Sequence, residues 1–175
     1  MPNFFSKLFC GLGVEPPTRE WTGAPIPRAQ IRAMWPADLP QVMEIERVSF
    51  PPAIQWSMED FAQCFAPNNK KLGYVIEVEN RLVGFLMIFA VNQTLIMVNS
   101  IAILPAARRR GLGGLLLKHV EQPTDWCTPR RLVCLVRERN LAAQLFLRAV
   151  DFLPHPYAKS DEGAIKFHKR LRSKP

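Results

Sequence analysis

Apolar residues along the chain fall into two spacings, and the switches between them divide it into elements. Residues 30–35 form a short extended run that Pro36 ends. Leu39, Val42, Met43, Ile45 and Val48 then recur at the three-to-four spacing of one helix face. Asp38 stands at that helix's N-cap position, and Phe50-Pro51-Pro52 breaks the pattern. Ser57 followed by Asp60 predicts a second helix start of the capping-box kind. Three apolar runs come next, at residues 74–79, 82–91 and 94–104, the first two joined by Glu79-Asn80-Arg81 as an antiparallel hairpin. A leucine-rich helix runs on to Pro123, which forbids its continuation. A loop over 123–130 leads to a strand at 132–136 and then to a helix from Asn140, with Leu141, Leu145, Phe146 and Ala149 expected on its inner side. Segments 153–158 and 164–171 close the chain as a second hairpin. The order is strand, two helices, three strands, helix, strand, helix, two strands. It predicts a mixed α/β (α+β) domain with a largely antiparallel front half, unlike the regular alternation of a doubly wound sheet.

Length and composition bound this picture. A chain of 175 residues suits one domain with a real core. Residues 1–28 hold Pro16, Pro17, Pro25 and Pro27 and few regularly spaced apolar positions, so they read as a flexible extension and residues 29–172 as the domain. Phe4, Phe5, Leu8 and Phe9 give the extension a short amphipathic side. Its broken apolar run and missing small-residue cleavage site argue against an export signal. No apolar run approaches the roughly 18 residues of a membrane span. The four cysteines (Cys10, Cys64, Cys127, Cys134) show neither a C-x-x-C pair nor a Cys/His metal spacing. No metal site is therefore expected, and reduced thiols in a cytoplasmic protein are the natural reading. Cys64 and Cys134 lie in apolar settings typical of buried cysteine.

The formal net charge of +8 is concentrated in two places. Lys166, Lys169, Arg170, Arg172 and Lys174 make a basic tail, and Arg108, Arg109, Arg110, Lys118, Arg130 and Arg131 gather most of the rest. A focused anion-attracting site fits a phosphate-bearing ligand better than a specific nucleic-acid partner. Residues 99–120 locate it: Ile101, Ala102, Ile103 and Leu104 form the strand end, Pro105 stops it, and three arginines precede Gly111, Gly113 and Gly114 at a helix N-terminus. Unpaired backbone N–H groups and the helix dipole favour an anion there. It is not a P-loop, because no Lys-Ser or Lys-Thr follows Gly114. Nor is it a dinucleotide fingerprint, because the last glycine of G-x-G-x-x-G is missing.

What fits is R-x-x-G-x-G, spelled Arg108-Arg109-Arg110-Gly111-Leu112-Gly113 directly after a strand. On these residues the chain resembles the GCN5-related N-acetyltransferase (GNAT) superfamily. Ile45-Glu46 with Phe50-Pro51, then Trp56-Ser57-x-x-x-Phe61, is similar to the front of its RimI-like branch, which acetylates a ribosomal protein's N-terminal amine. Val136-Arg137-x-x-Asn140-x-x-Ala143 resembles the segment whose asparagine lies near the cofactor, and Tyr157 with Asp161-Glu162-x-Ala164-Ile165 resembles the closing hairpin. The resemblance spans roughly residues 30–171. It implies a mostly antiparallel sheet splayed at its central strands, with flanking helices.

The resemblance also implies acetyl-CoA as cosubstrate. Ile101, Ala102 and Ile103 would bind the pantetheine arm, Arg108, Arg109, Arg110, Gly111, Leu112, Gly113 and Gly114 the pyrophosphate, and Asn140 would stand close by. The expected reaction moves an acetyl group to the primary amine of a peptide N-terminus or a small molecule, in a monomer or homodimer. Three positions depart from the family. The strand glutamate that serves as base is Leu135, the tyrosine that protonates the departing sulfur is Leu147, and the glycine before the next phenylalanine is Asp151. Proton transfer would then pass to Tyr157 or Glu46, with Glu138 and His155 as further relays, or positioning alone would provide the acceleration. The alternative is a coenzyme A-binding regulatory domain without turnover; a basic nucleic-acid-binding module is a third reading.

Overall fold

In the computed structural model, which describes residues 28–67, 70–124, 127–159 and 163–171 apart from the side chains of 156–159, seven strands form one sheet. They are β1 (Ala29–Ala33), β2 (Lys71–Val78), β3 (Arg81–Asn92), β4 (Leu95–Ile103), β5 (Arg131–Arg137), β6 (Leu153–Lys159) and β7 (Ala164–Arg170). Their order across the sheet is β1-β2-β3-β4-β5-β7-β6. Every pair is antiparallel except β4 with β5. The helices are α1 (Leu39–Ser49), α2 (Met58–Ala62), α3 (Leu112–His119) and α4 (Leu141–Ala149). The predicted mixed α/β order is therefore observed. All but the last residue of the expected extension 1–28, with Cys10, lies outside the described residues.

Helices pack on both faces. α1 and α2 cover β3 and β4 through Val42, Ile45 and Phe61, whose ring meets Phe85 edge-on at 5.3 Å and Trp56 at 5.4 Å. Leu112, Leu116 and Leu117 of α3 with Ala143 and Leu147 of α4 cover the other face, over Ile101, Ile103, Leu132, Cys134, Val136 and Phe167. Each such side chain withdrawn from water contributes about 1.5–3 kcal/mol before conformational entropy is set against it. Glu79 and Asn80 both take positive φ (52° and 61°), the turn whose twist suits a tight hairpin.

Three local expectations are corrected. Asp38 does not cap α1 with its side chain; its carboxylate accepts the Trp35 N–H at 2.7 Å and the Arg32 guanidinium at 2.7 and 2.9 Å. The arginine on β1 outbids the helix amides because it brings a full charge in a two-pronged geometry. α3 ends at His119, short of Pro123, and Val120 folds back into the core. On α4 the inward residues are Ala143, Leu147 and, as expected, the half-buried Phe146, while Leu141 and Leu145 stand 62% and 47% exposed and Ala149 is exposed too. The side-chain cap at Asn140 sets the helix phase, and the narrow fit against α3 selects that face.

β4 and β5 pair only through Leu95–Met97 against Arg131–Val133, although β4 runs on to Ile103 and β5 to Arg137. The register of β4 against β3 shifts between Met87 and Ile88, so Asn99 is an extra residue opposite no partner. Such a bulge bends its strand. Beyond it the two parallel strands diverge and leave a notch at the centre of the sheet. The Leu104 N–H bonds to the Val83 carbonyl at 2.8 Å on the β3 side. By strand alternation, the backbone groups of Ile101 and Ile103 therefore face the notch.

Candidate active site

The chain leaves β4 through a single turn of 3-10 helix, Pro105–Ala107, and enters α3 at Gly111. Arg109 (φ 61°) and Gly111 (φ 74°) are both left-handed, which folds the loop over the helix N-terminus. The Leu115 N–H bonds to the Gly111 carbonyl at 3.1 Å as the first helical hydrogen bond. The N–H groups of Leu112, Gly113 and Gly114 thus have no partner within the helix. They border a cavity of about 120 Å³, lined also by Ile103, Ala107, Arg108, Arg109, Gly111 and Phe146. Gly113 has a second role, because a Cβ there would meet the Phe146 ring at 3.1 Å. The missing side chain lets α4 approach α3 as well as a ligand approach the backbone.

Most of the residues expected at the cofactor site converge on this cavity: Ile103, Arg108, Arg109 and Gly111 to Gly114. Ile101 and Ala102 lie buried just behind it on β4, and Arg110 does not line it. Arg108 is differently employed from the expectation. Its Nε donates to the Ile103 carbonyl at 2.9 Å and its Nη2 to Ser49 Oγ at 3.4 Å, so it braces the loop against the strand end and α1. Burial lowers its pKa. Asn140 caps α4, its Oδ1 accepting the Ala143 N–H at 3.1 Å, while its Nδ2 is buried with no hydrogen-bond partner. Ser49 was not foreseen; nothing in its spacing marks a contact with a loop 59 residues on.

The positions considered for proton transfer are less convergent. Glu46 is 1% exposed rather than solvated, and its Oε1 accepts the Trp56 N–H at 2.7 Å. It fastens the segment from Phe50 to Trp56 to α1. Tyr157 falls on β6, and its side chain lies outside the described residues. Leu135 is half-buried on β5, cross-strand from Lys166. Leu147 is fully buried in the core under α4. Cys134 is buried and its thiol pushed well up by desolvation, and burial pushes the Cys64 thiol up to about 11, so neither is poised as a nucleophile. His119 is exposed on α3, its ring edge-on to Tyr74 at 4.9 Å. No group of three His, Cys, Asp or Glu side chains that could hold a metal occurs among the described residues, and no described helix is long and apolar enough to cross a membrane.

Residues 39–152 match the acetyltransferase (GNAT) family, and the chain belongs to it. No curated protein matches the sequence. Solved structures share the fold at low identity. The ribosomal-protein-S18-alanine N-acetyltransferase of Escherichia coli is 22% identical, with 85% of this chain and 97% of that one covered and a TM-score of 0.65. The PaiA N-acetyltransferase of Thermoplasma acidophilum in complex with coenzyme A is 15% identical, covering 82% and 99%, at 0.67. Arabidopsis thaliana NAA60 in complex with a bisubstrate analogue is 17% identical, covering 83% and 100%, at 0.63.

Proposed function

We propose that this member of the GNAT family transfers an acetyl group from acetyl-CoA to a primary amine, at a peptide N-terminus or on a small molecule. One observation carries the reading: a strand edge without a β5 partner at Ile101 and the Ile103 N–H leads directly into a cavity bordered by the unpaired amides of α3. The amides of Leu112, Gly113 and Gly114 hold the pyrophosphate with Arg109, and Arg110 adds longer-range attraction. The backbone of Ile101 pairs with the pantetheine amides as an added strand would, next to the Ile103 carbonyl that Arg108 holds. Arg108 acts by holding that strand end to the loop, and the buried Nδ2 of Asn140 donates into the same site. The N–H of Ile103 stabilises negative charge developing on the acyl oxygen.

Leu135 and Leu147 supply no proton-transfer group, so positioning provides most of the acceleration. Tyr157 is the remaining candidate acid, and Glu46 serves by shaping the acceptor wall at Trp56. The domain boundaries 29–172, a monomeric or homodimeric state and a cytoplasmic location belong to the same reading. The second reading is a coenzyme A-binding domain without turnover, favoured by the burial of Leu147 where an acid would stand. Calorimetry with acetyl-CoA and coenzyme A, followed by thiol release against a panel of amines and N-terminal peptides, decides. Binding with release is the expected result; binding without release for any acceptor establishes the second reading, and absence of binding overturns both.

A further inference from the structure

The two faces of the β5–β7–β6 wing treat their cations differently. On the face covered by α3 and α4, Lys169 Nζ is 2.7 Å from Glu121 and 3.7 Å from Asp151. The other face holds Arg131, Val133, Leu135 and Arg137 of β5, cross-strand from Arg170, His168, Lys166 and Ala164 of β7. Leu153 of β6 pairs with His168, and the His155 ring lies 5.8 Å from the His168 ring. None of these ten positions is acidic. Arg131, Arg137, Arg170, His155 and Leu153 are exposed, and Arg131, Lys166 and Arg170 form no ion pair among the described residues. Arg131, Lys166, Arg170 and His155 all act on His168 as positive charges that disfavour its protonation, which places the five groups in one field. Leu135, opposite Lys166, sits where β4 and β5 have already parted, so this basic rib is one strand, about 4.8 Å, from the notch.

We infer that this open sheet face docks an acidic segment of a polypeptide acceptor and so delivers its amine to the notch. The inference rests on the transfer reading above and names its substrate class. Lys166 and Arg170 stand four residues apart on the same side of β7, about 13 Å, with the neutral imidazole of His168 between them. That interval matches Asp or Glu at every fourth position of an extended peptide, with a hydrogen-bonding position opposite His168. Around them Leu153 is exposed, Leu135 half-buried and Val133 and Ala164 buried. The described rings on this face are the two imidazoles of His155 and His168, with no Phe, Tyr or Trp platform for single-stranded nucleic acid among its described side chains. A peptide with acidic and apolar residues fits this chemistry better than RNA does.

The test uses the full chain and fluorescein-labelled 12-residue peptides that differ only at residues 3–8, Glu/Ser against Gln/Ser, beside a 12-nucleotide oligouridylate. Anisotropy at 50 mM salt should give at least about tenfold tighter binding of the Glu peptide than of the Gln peptide. That margin should shrink about tenfold at 300 mM salt and vanish in the double variant Lys166→Glu, Arg170→Glu with acetyl-CoA affinity unchanged. Equal affinities for the two peptides, tighter binding of the oligouridylate, or a folded double variant that keeps the margin would each overturn the inference. Should that variant fail to fold, the wild-type peptide series and its salt dependence decide. Glu-peptide binding without thiol release sustains the docking face while removing the transfer reading. Thiol release at equal KM for both peptides does the reverse.

Discussion

The end of β4 with its loop, and the wing of β5, α4 and β7 beyond the notch, border the same space with different materials. The first presents backbone: the edges of Ile101 and Ile103 and the amides at the start of α3. Its half-buried Arg108 faces inward as a brace. The second presents side chains, and there Leu135 and Leu147 stand where the family resemblance expects a base and an acid. A site made of backbone depends on φ angles and on space, so side chains can drift around it without loss. A site made of side chains is rewritten by single substitutions. Binding and chemistry are thus separable here, and each can be perturbed alone.

The largest effect is expected from Gly111→Glu. The position is left-handed, which costs a residue with a Cβ about 1–2 kcal/mol, and the carboxylate would stand against the phosphate. Calorimetry should find acetyl-CoA affinity lowered on the order of 100-fold or more, equivalent to roughly 2.7 kcal/mol. Gly111→Ala, which carries the strain without the charge, should lose clearly less. Retained affinity in the glutamate variant would break the comparison at its first term, since the loop would not be the ligand's seat.

Leu135→Glu and Leu147→Tyr address the second term. Position 135 is half-buried beside the notch and opposite Lys166, so a glutamate there has a cation to hold it ionised. If binding is complete and only proton transfer is missing, kcat/KM should rise on the order of tenfold, at the low end of what a positioned base provides. Position 147 is closed: a tyrosine there overfills the core beside Phe152 and Phe167, and unfolding by denaturant should show a loss of about 1–3 kcal/mol with no gain in rate. A fast and stable Leu147→Tyr variant would mean that α4 can turn its inner face toward the notch.

How much of this was legible in the sequence follows the same division. Glycine and proline report backbone conformation directly, so the strand end at Pro105, the capping box at Ser57 and the glycine turn that opens α3 could be read in place. The phase of α4 could not. Leu141 and Leu145 satisfy a helical stripe with Phe146 as well as Ala143 and Leu147 do, and the fit of Phe146 against Gly113 leaves Phe146, Ala143 and Leu147 inward. Asp38 was misassigned for a related reason. A cap residue is recognised by its neighbours in sequence, whereas its competing partner Arg32 arrives from an adjacent strand. Glu46 is the same case, a helical glutamate whose burial depends on where the Trp56 segment folds back.

The smallest effect should come from His168, and it measures the electrostatics of the open face itself. Burial holds its pKa below the usual histidine value, aided by His155 of β6, Arg170 and Lys166 of its own strand and Arg131 of β5, with no acid on that face among the described residues. Between the depressed folded pKa and about 6.5, the unfolded chain binds more protons than the folded one, so stability rises with pH through that window. It is fully present above about 6.5, is lost as pH falls, and levels off below the folded value. His168→Gln should flatten this part of the profile when unfolding is followed from pH 7.5 to 5. An acidic peptide bound to the face reverses the sign of the local field, and should therefore raise the histidine's pKa and reduce the same loss in the wild-type protein. Parallel profiles for wild type and variant would show that neither burial nor the neighbouring cations hold this pKa down, and would remove the field on which the contrast with the backbone-built site depends.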